Sequence, residues 1–411
     1  SLTPPPLRSR EGVDDLNKGV YPVKERVFQA VEAQRQALCA MADDIFDHPE
    51  LGFQEFHAQK LITDYLTQCG YQVELGVGGV ETAFRAVFEN GQGGPRIGLL
   101  CEYDALEGLG HACGHHMQGP AILGAARALK ECAGERPFTV VVYGTPAEET
   151  AHGKLRMLEA GCFQDIDVAL MMHGSPTTTV DVKSMAMSSF TVTFHGKKAH
   201  AALKPEAGRS AFDALLIAFQ GIEFLREHVP EDTRMHYTVT QLPGPANVVP
   251  DTAVGKFSLR SYSRKALDEV VERFHKIIEG AALIADVTYD MKEGDRLANK
   301  IPVLRLNELL MDNARQVDAP RMAPPREKTG SSDFSNVMYE LPGSCIRVAM
   351  VPQGTSSHSQ EFLDAGKSQE AHQAVMVAAK VLAGAGWDMI QDDGVLAAIQ
   401  EEFAQNRASN V

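Results

Sequence analysis

Apolar residues recur at helical spacing between positions 23 and 46, at Val27, Val31, Leu38, Met41 and Ile45, which predicts a helix there. A second helix is predicted over 54–68, stopped near Gly70. Residues 71–73, 83–88 and 96–101 then read as short strands separated by glycine-rich turns. An Ala- and Leu-rich helix follows at 119–133. Residues 138–143, a run of Val, Thr and Tyr, read as a buried strand. A helix at 154–160 and another buried strand at 168–172 continue the alternation. Strands alternating with helices predict an α/β fold, a mostly parallel sheet with helices on both faces.

The pattern changes after Lys183. Residues 187–194 alternate as a half-exposed strand. A long helix at 210–228, strands at 235–242 and 253–262, a helix at 265–285 and a strand at 285–289 follow. The order β-α-β-β-α-β is that of a ferredoxin-like α+β unit. From Ile301 helical and short-strand patterns return, ending in an Ala-rich helix at 370–384. The expected organisation is a flexible tail at 1–18, an α/β domain made of 19–185 and 296–411, and an inserted domain at 186–295. A chain of 411 residues suits two such bodies.

Charge narrows the partners. The chain has 39 Lys and Arg against 54 Asp and Glu, a formal charge of −15. That acidity speaks against a nucleic-acid backbone or an anionic membrane as partner. No apolar stretch is long enough to span a bilayer, and the Pro-rich N-terminal region lacks the apolar centre of a secretory signal. Seven scattered cysteines read as reduced thiols, so a cytoplasmic setting is expected.

The densest polar cluster is Gly110-His111-Ala112-Cys113-Gly114-His115-His116. Thiolate and imidazole are preferred ligands for zinc and similar ions, and Cys113 and His115 can turn toward one ion across Gly114. Alone, the pair reads better as a buried Cys beside a hydrogen-bonded His. Three further features share its location, past the carboxyl ends of predicted strands, where open α/β sheets bind ligands. They are the adjacent carboxylates Glu148 and Glu149, His173 after the strand at 168–172, and His358 in a small-residue loop. Adjacent carboxylates are unfavourable without a neutralising cation. Cys113, His115, Glu149, His173 and His358 make five donors, which suit two ions rather than one open zinc. Glu148 is left over as a base.

These residues carry a resemblance. The chain resembles the aminoacylase/carboxypeptidase family of two-metal amidohydrolases, in the subfamily with hippurate, auxin-conjugate and aminobenzoyl-glutamate hydrolases and β-alanyl dipeptidases. The matching segments are His48-Pro49-Glu50-Leu51-Gly52-Phe53-Gln54-Glu55, Glu102-Tyr103-Asp104-Ala105-Leu106, Gly110 to His115 and Thr145-Pro146-Ala147-Glu148-Glu149. In the insert they are Phe194-His195-Gly196-Lys197-Lys198-Ala199-His200-Ala201-Ala202 and Asn247-Val248-Val249-Pro250-Asp251. The Glu-Tyr-Asp-Ala-Leu form is most similar to the aminobenzoyl-glutamate and β-alanyl dipeptidase branch.

The resemblance implies that the five donors are metal ligands, that Glu148 is the general base and that Asp104 is a supporting acid behind the metal site. It implies that His200 reaches across a homodimer, formed through the insert as a lid, to polarise the scissile carbonyl. Asn247 matches a substrate-binding position. Arg260 is a further candidate for a substrate carboxylate, because its forked donors suit one. His116 stands where relatives carry Asp or Asn, and His152 lies where they carry glycines, so both become candidates for substrate contact. The expected activity is hydrolysis of the amide bond of an N-acyl amino acid or dipeptide, with two divalent ions per chain, Zn or Mn before Co or Ni. The competing readings are a non-catalytic or amide-forming protein on the same fold, and a metal-free cysteine hydrolase using Cys113.

Overall fold

The computed structural model describes residues 21–410 apart from 133, 242 and 295; the tail expected at 1–18 lies outside them. The chain divides into two compact units, one running to Lys183 and resuming at Ile301, the other Ser184–Lys300. Among the described residues the strands are β1 (Gln72–Leu75), β2 (Phe84–Asn90), β3 (Arg96–Cys101), β4 (Phe138–Gly144), β5 (Val168–Ser175), β6 (Thr179–Val180), β7 (Ala186–His195), β8 (Arg234–Gln241), β9 (Thr252–Ser261), β10 (Thr288–Glu293) and β11 (Gly343–Ala349).

The first unit holds a seven-stranded sheet in the order β1-β2-β4-β3-β5-β11-β6. Its centre, β4-β3-β5-β11, is parallel, and its two margins are antiparallel. Every residue of β4 is buried, which is why the sequence shows a near-continuous apolar run there without alternation. Alternate side chains feed two cores. Leu99, Val140, Val142, Leu170 and Ile346 pack with the helices Gln118–Cys132 and Gln369–Gln391. Leu100, Val141, Tyr143 and Met171 pack on the opposite face with Met157, Phe163, Phe334 and Val337. Small residues let helices approach closely: a Cβ on Gly124 would lie 2.7 Å from Leu38 Cδ1.

Two details depart from the pattern reading. The helix expected over 23–46 is two, Tyr21–Glu32 and Arg35–Asp47. Between them the Gln34 amide bonds Val31 O, three residues back, and its buried side chain donates to Ala30 O and Gly124 O. A last helix, Asp393–Asn410, was not evident in the pattern, because only Leu396, Ile399 and Phe403 of it are buried.

The second unit is the ferredoxin-like βαββαβ body, an antiparallel sheet ordered β10-β7-β9-β8. The helices Ala211–Leu225 and Arg264–Ala285 cover one face, with Phe190, Phe194, Phe257 and Phe274 in the core between. The final strand starts later than expected, at Thr288, because Asp286 ends the long helix in a left-handed turn (φ 54°).

Candidate active site

The site lies in the first unit, where β3, β4, β5 and β11 end. Cys113 and His115 come from the loop after β3. Gly114 sits between them at φ 84°, a left-handed turn that brings both side chains to one side. Cys113 Sγ lies 3.5 Å from His173 Nε2, contributed by β5. Glu148 and Glu149 follow β4. His358 arrives on the loop after β11, held by its amide donating to Ala112 O at 3.0 Å. Its Nε2 is 3.2 Å from Glu149 Oε1 but misaligned, so that buried oxygen makes no hydrogen bond.

The five donors therefore meet. Ligand atoms of Cys113, His115 and His173 lie within 4.8 Å of one another, as do those of Cys113, Glu149 and His358. A third such group is His115, Glu148 and Glu149. Two overlapping soft-and-hard donor sets and a buried carboxylate oxygen without a donor fit two divalent cations. Burial pushes the Cys113 thiol up to about 12, so without a nearby cation it stays protonated and is a poor nucleophile.

Backing groups hold these donors. His115 Nδ1 is 3.0 Å from Asp104 Oδ1, leaving Nε2 directed into the cluster. Asp104 Oδ2 also accepts the Glu149 amide at 2.9 Å. On the other side of Glu148, the Ala147 amide donates to Glu55 Oε1 at 2.8 Å. Ala147 has φ 59°, a conformation that disfavours a residue with a Cβ. Two buried carboxylates thus grip the chain on either side of Glu148. Burial, then Glu102 and Asp333, holds the Glu148 carboxyl well above its usual range.

Sequence reasoning assigned no role to Glu102, Glu55, Lys154 or Asp333. Lys154 is fully buried; its Nζ lies 2.5 Å from Glu102 Oε1 and 2.8 Å from Asp333 Oδ1. Glu102 Oε2 in turn is 3.2 Å from His115 Nε2. Lys154 falls at the start of the helix expected at 154–160, and no local signal marks Asp333 as its partner.

The remaining candidates are spread out. His116 is fully buried, its Nε2 2.8 Å from Gly366 O and its ring edge-on to Phe46, so it serves the core. His152 takes φ 49° just before the helix Gly153–Glu159. In the second unit, His200 and Asn247 are neighbours: Ala201 N donates to Asn247 O at 3.0 Å, and His200 bridges to Val248. Arg260 pairs in register with Met187, at the far end of β9 from Thr252, about 26 Å along the strand. It does not join His200 and Asn247.

The fold and donor cluster define a metal-dependent hydrolase of the two-domain amidohydrolase type. The description "Peptidase family M20/M25/M40" matches residues 98–384, and the chain belongs to that family. It is 30% identical to one of the p-aminobenzoyl-glutamate hydrolase polypeptides of Escherichia coli (strain K12), over 92% of this chain and 94% of that one. It is also 30% identical to Xaa-Arg dipeptidase of Homo sapiens, over 93% and 92%. Among solved structures, the dinuclear metal-binding peptidase YXEP of Bacillus subtilis shares the fold with a TM-score of 0.69 at 22% identity, covering 88% of this chain and 99% of that one. The protein is accordingly an amidohydrolase acting on carbon–nitrogen bonds.

Proposed function

We propose that the protein hydrolyses the amide bond of a small N-acyl amino acid or dipeptide bearing a carboxylate. The observation that carries this reading is the pair of overlapping donor sets beside Glu148 at the carboxyl edge of the sheet. Cys113, His115, Glu149, His173 and His358 would hold two divalent cations, Zn or Mn before Co or Ni. Such cations acidify a bound water and polarise a carbonyl. Glu148 takes the proton from the attacking water and delivers it to the leaving amine nitrogen. Its raised affinity for a proton suits that exchange. Asp104 fixes the His115 ring, and the Glu55 and Asp104 carboxylates fix the backbone that aims Glu148. Relatives named for aminobenzoyl-glutamate and for Xaa-Arg dipeptides support a substrate of this size and class.

The reading extends to a homodimer through the second unit, whose outer strand β8 is largely exposed and open to pairing. His200, with Asn247 beside it, would then serve the partner subunit's site and steady the developing oxyanion. Seven cysteines, none in a disulfide, favour a reducing, cytoplasmic setting.

The test is a panel of N-acyl amino acids and dipeptides read by mass spectrometry, with elemental analysis of each variant. Glu148→Gln should lower kcat by about 10²–10⁴-fold with metal content near normal. Glu149→Gln should lose metal. Reversed results would exchange the two assignments, and full activity in both would overturn the site.

A further inference from the structure

Asp44, His48 and His57 form a second group of metal-ligating side chains, and it shares no residue with the five donors. Their ligand atoms lie within 4.8 Å of one another. His48 Nδ1 is 2.9 Å and His57 Nε2 is 2.8 Å from the same oxygen, Asp44 Oδ1. The two rings stand 4.5 Å apart. Two imidazole nitrogens and a carboxylate oxygen are a donor set for zinc and similar divalent ions. Ligand atoms about 2.0 Å from a tetrahedral zinc are about 3.3 Å from one another. Both spacings to Asp44 Oδ1 fall about half an ångström short of that edge, so small side-chain rotations open the trio around an ion. Each imidazole needs only to carry its hydrogen on the other ring nitrogen.

Local charge favours a cation there. Asp44 stands in the last turn of the helix Arg35–Asp47, and His48 is its C-terminal cap. Unpaired carbonyls give that end of a helix partial negative charge. The turn has no basic residue of its own. Asp43 and Asp47, on the same helix, are paired with His372 and Lys367 from elsewhere in the chain. Among the described residues, Asp44 is paired with no Lys or Arg; it faces the two imidazoles.

The trio also brackets a segment that matters to the active site. His57 opens the next helix, Phe56–Gln68, where Glu50 accepts its amide at 2.8 Å and that of Ala58 at 3.0 Å. Residues 49–56, between the two histidines, hold the catalytic loops at two points. Glu50 O accepts the amide of Ala105, next to Asp104, at 2.8 Å. Glu55 Oε1 accepts the amide of Ala147, next to Glu148, at 2.8 Å.

We propose that Asp44, His48 and His57 bind a further divalent transition ion, zinc by the chemistry of the donors, and that this ion clamps the two ends of the segment 49–56. The ion joins the end of one helix to the start of the next. It steadies from outside the donor cluster the segment that grips the chain beside Asp104 and Glu148. With three protein ligands, its remaining position is open to water.

The experiment counts zinc on the full chain by elemental analysis after equilibrium dialysis, as a difference between variants. His57→Ala should lower bound zinc by about one equivalent, in the wild type and equally in a Cys113→Ser/Glu149→Gln background. Whatever the five donors hold cancels in each difference. Asp44→Asn should act in the same way. His195→Ala, which removes a half-exposed imidazole paired with Asp290 alone, should leave the count unchanged. Hydrogen exchange of 49–56 in the Cys113→Ser/Glu149→Gln background should slow when zinc is added, and His57→Ala should abolish that slowing. An unchanged count in both His57→Ala and Asp44→Asn, or an equal loss in His195→Ala, overturns the site. Zinc bound at His57 without slower exchange overturns the clamp. If the wild type binds a single equivalent that His57→Ala removes, the two-ion reading of the five donors falls and this site stands.

Discussion

Replacing Lys154 by Met removes a charge from the centre of the first unit while nearly conserving volume. The ammonium is fully buried, and its carboxylate partners Glu102 and Asp333 are 2% and 0% exposed. Two such ion pairs, at an effective dielectric near 20, carry about 4 kcal/mol of attraction each. Most of that offsets the cost of taking three charges out of water, so the net stabilisation by the intact cluster is small. Breaking it is different. Without Lys154, Glu102, Glu148 and Asp333, whose oxygens lie within 4.8 Å of one another, lose the buried ammonium that neutralises them. Removing one partner of a buried pair costs about 3–5 kcal/mol, and that is the expected loss for Lys154→Met. Met fills the space of the aliphatic stem, so the deficit reports charge rather than a cavity. The assay is equilibrium urea unfolding followed by tryptophan fluorescence. Trp387 is the chain's one tryptophan and is buried in the core of this unit, so the signal reports on it directly. The double variant Lys154→Met/Asp333→Asn removes one stranded carboxylate and should be more stable than Lys154→Met alone. A loss below about 1 kcal/mol, or a double variant no better than the single one, would refute the reasoning.

Glu55→Leu strands the buried Ala147 amide next to Glu148, an expected cost of about 1–3 kcal/mol, and should lower kcat at least tenfold with metal content unchanged. Glu55→Gln keeps an acceptor and should retain most of kcat; equal rates for wild type and the Leu variant would dismiss the role. Arg347 and Arg326 hold Asp181 down to about 2, below the ordinary value near 3.9. The resulting contribution, about 2 kcal/mol, is fully present above pH 4 and is lost as pH falls toward 2. Asp181→Asn should therefore be less stable than wild type at pH 7, with the gap closing between pH 4 and pH 2; a gap independent of pH would contradict the assignment. Mixing His200→Ala with Glu148→Gln subunits under proven exchange should restore up to about half the wild-type rate per mixed dimer, because one site regains both residues. No recovery would leave each lid serving its own site.

The chain's own pattern determined the architecture because each period answers to one environment. Near-continuous apolar runs at 138–143 and 168–172 belong to strands buried on both faces, and β4 and β5 are those strands. The alternation in 187–194 belongs to a half-covered sheet, and β7 shows it residue by residue. The five donors were legible only together, because each alone has an ordinary structural reading and what sets them apart is their shared placement at the carboxyl ends of the strands, His173 within the end of β5 itself. What joins them was not legible. Lys154 reads only as the first residue of a helix until the fold brings Asp333, 179 positions away, against it. Glu55 gains meaning only when the loop after β4 places Ala147 on it. His116 shows the reverse: chemically suggestive in its motif, it is turned by the helix start into contact with Phe46 and Gly366. Local chemistry and periodicity are properties of neighbours in the chain and can be read there. Pairing of buried charges, and the direction in which a side chain faces, depend on long-range contacts that exist only once the tertiary structure has formed.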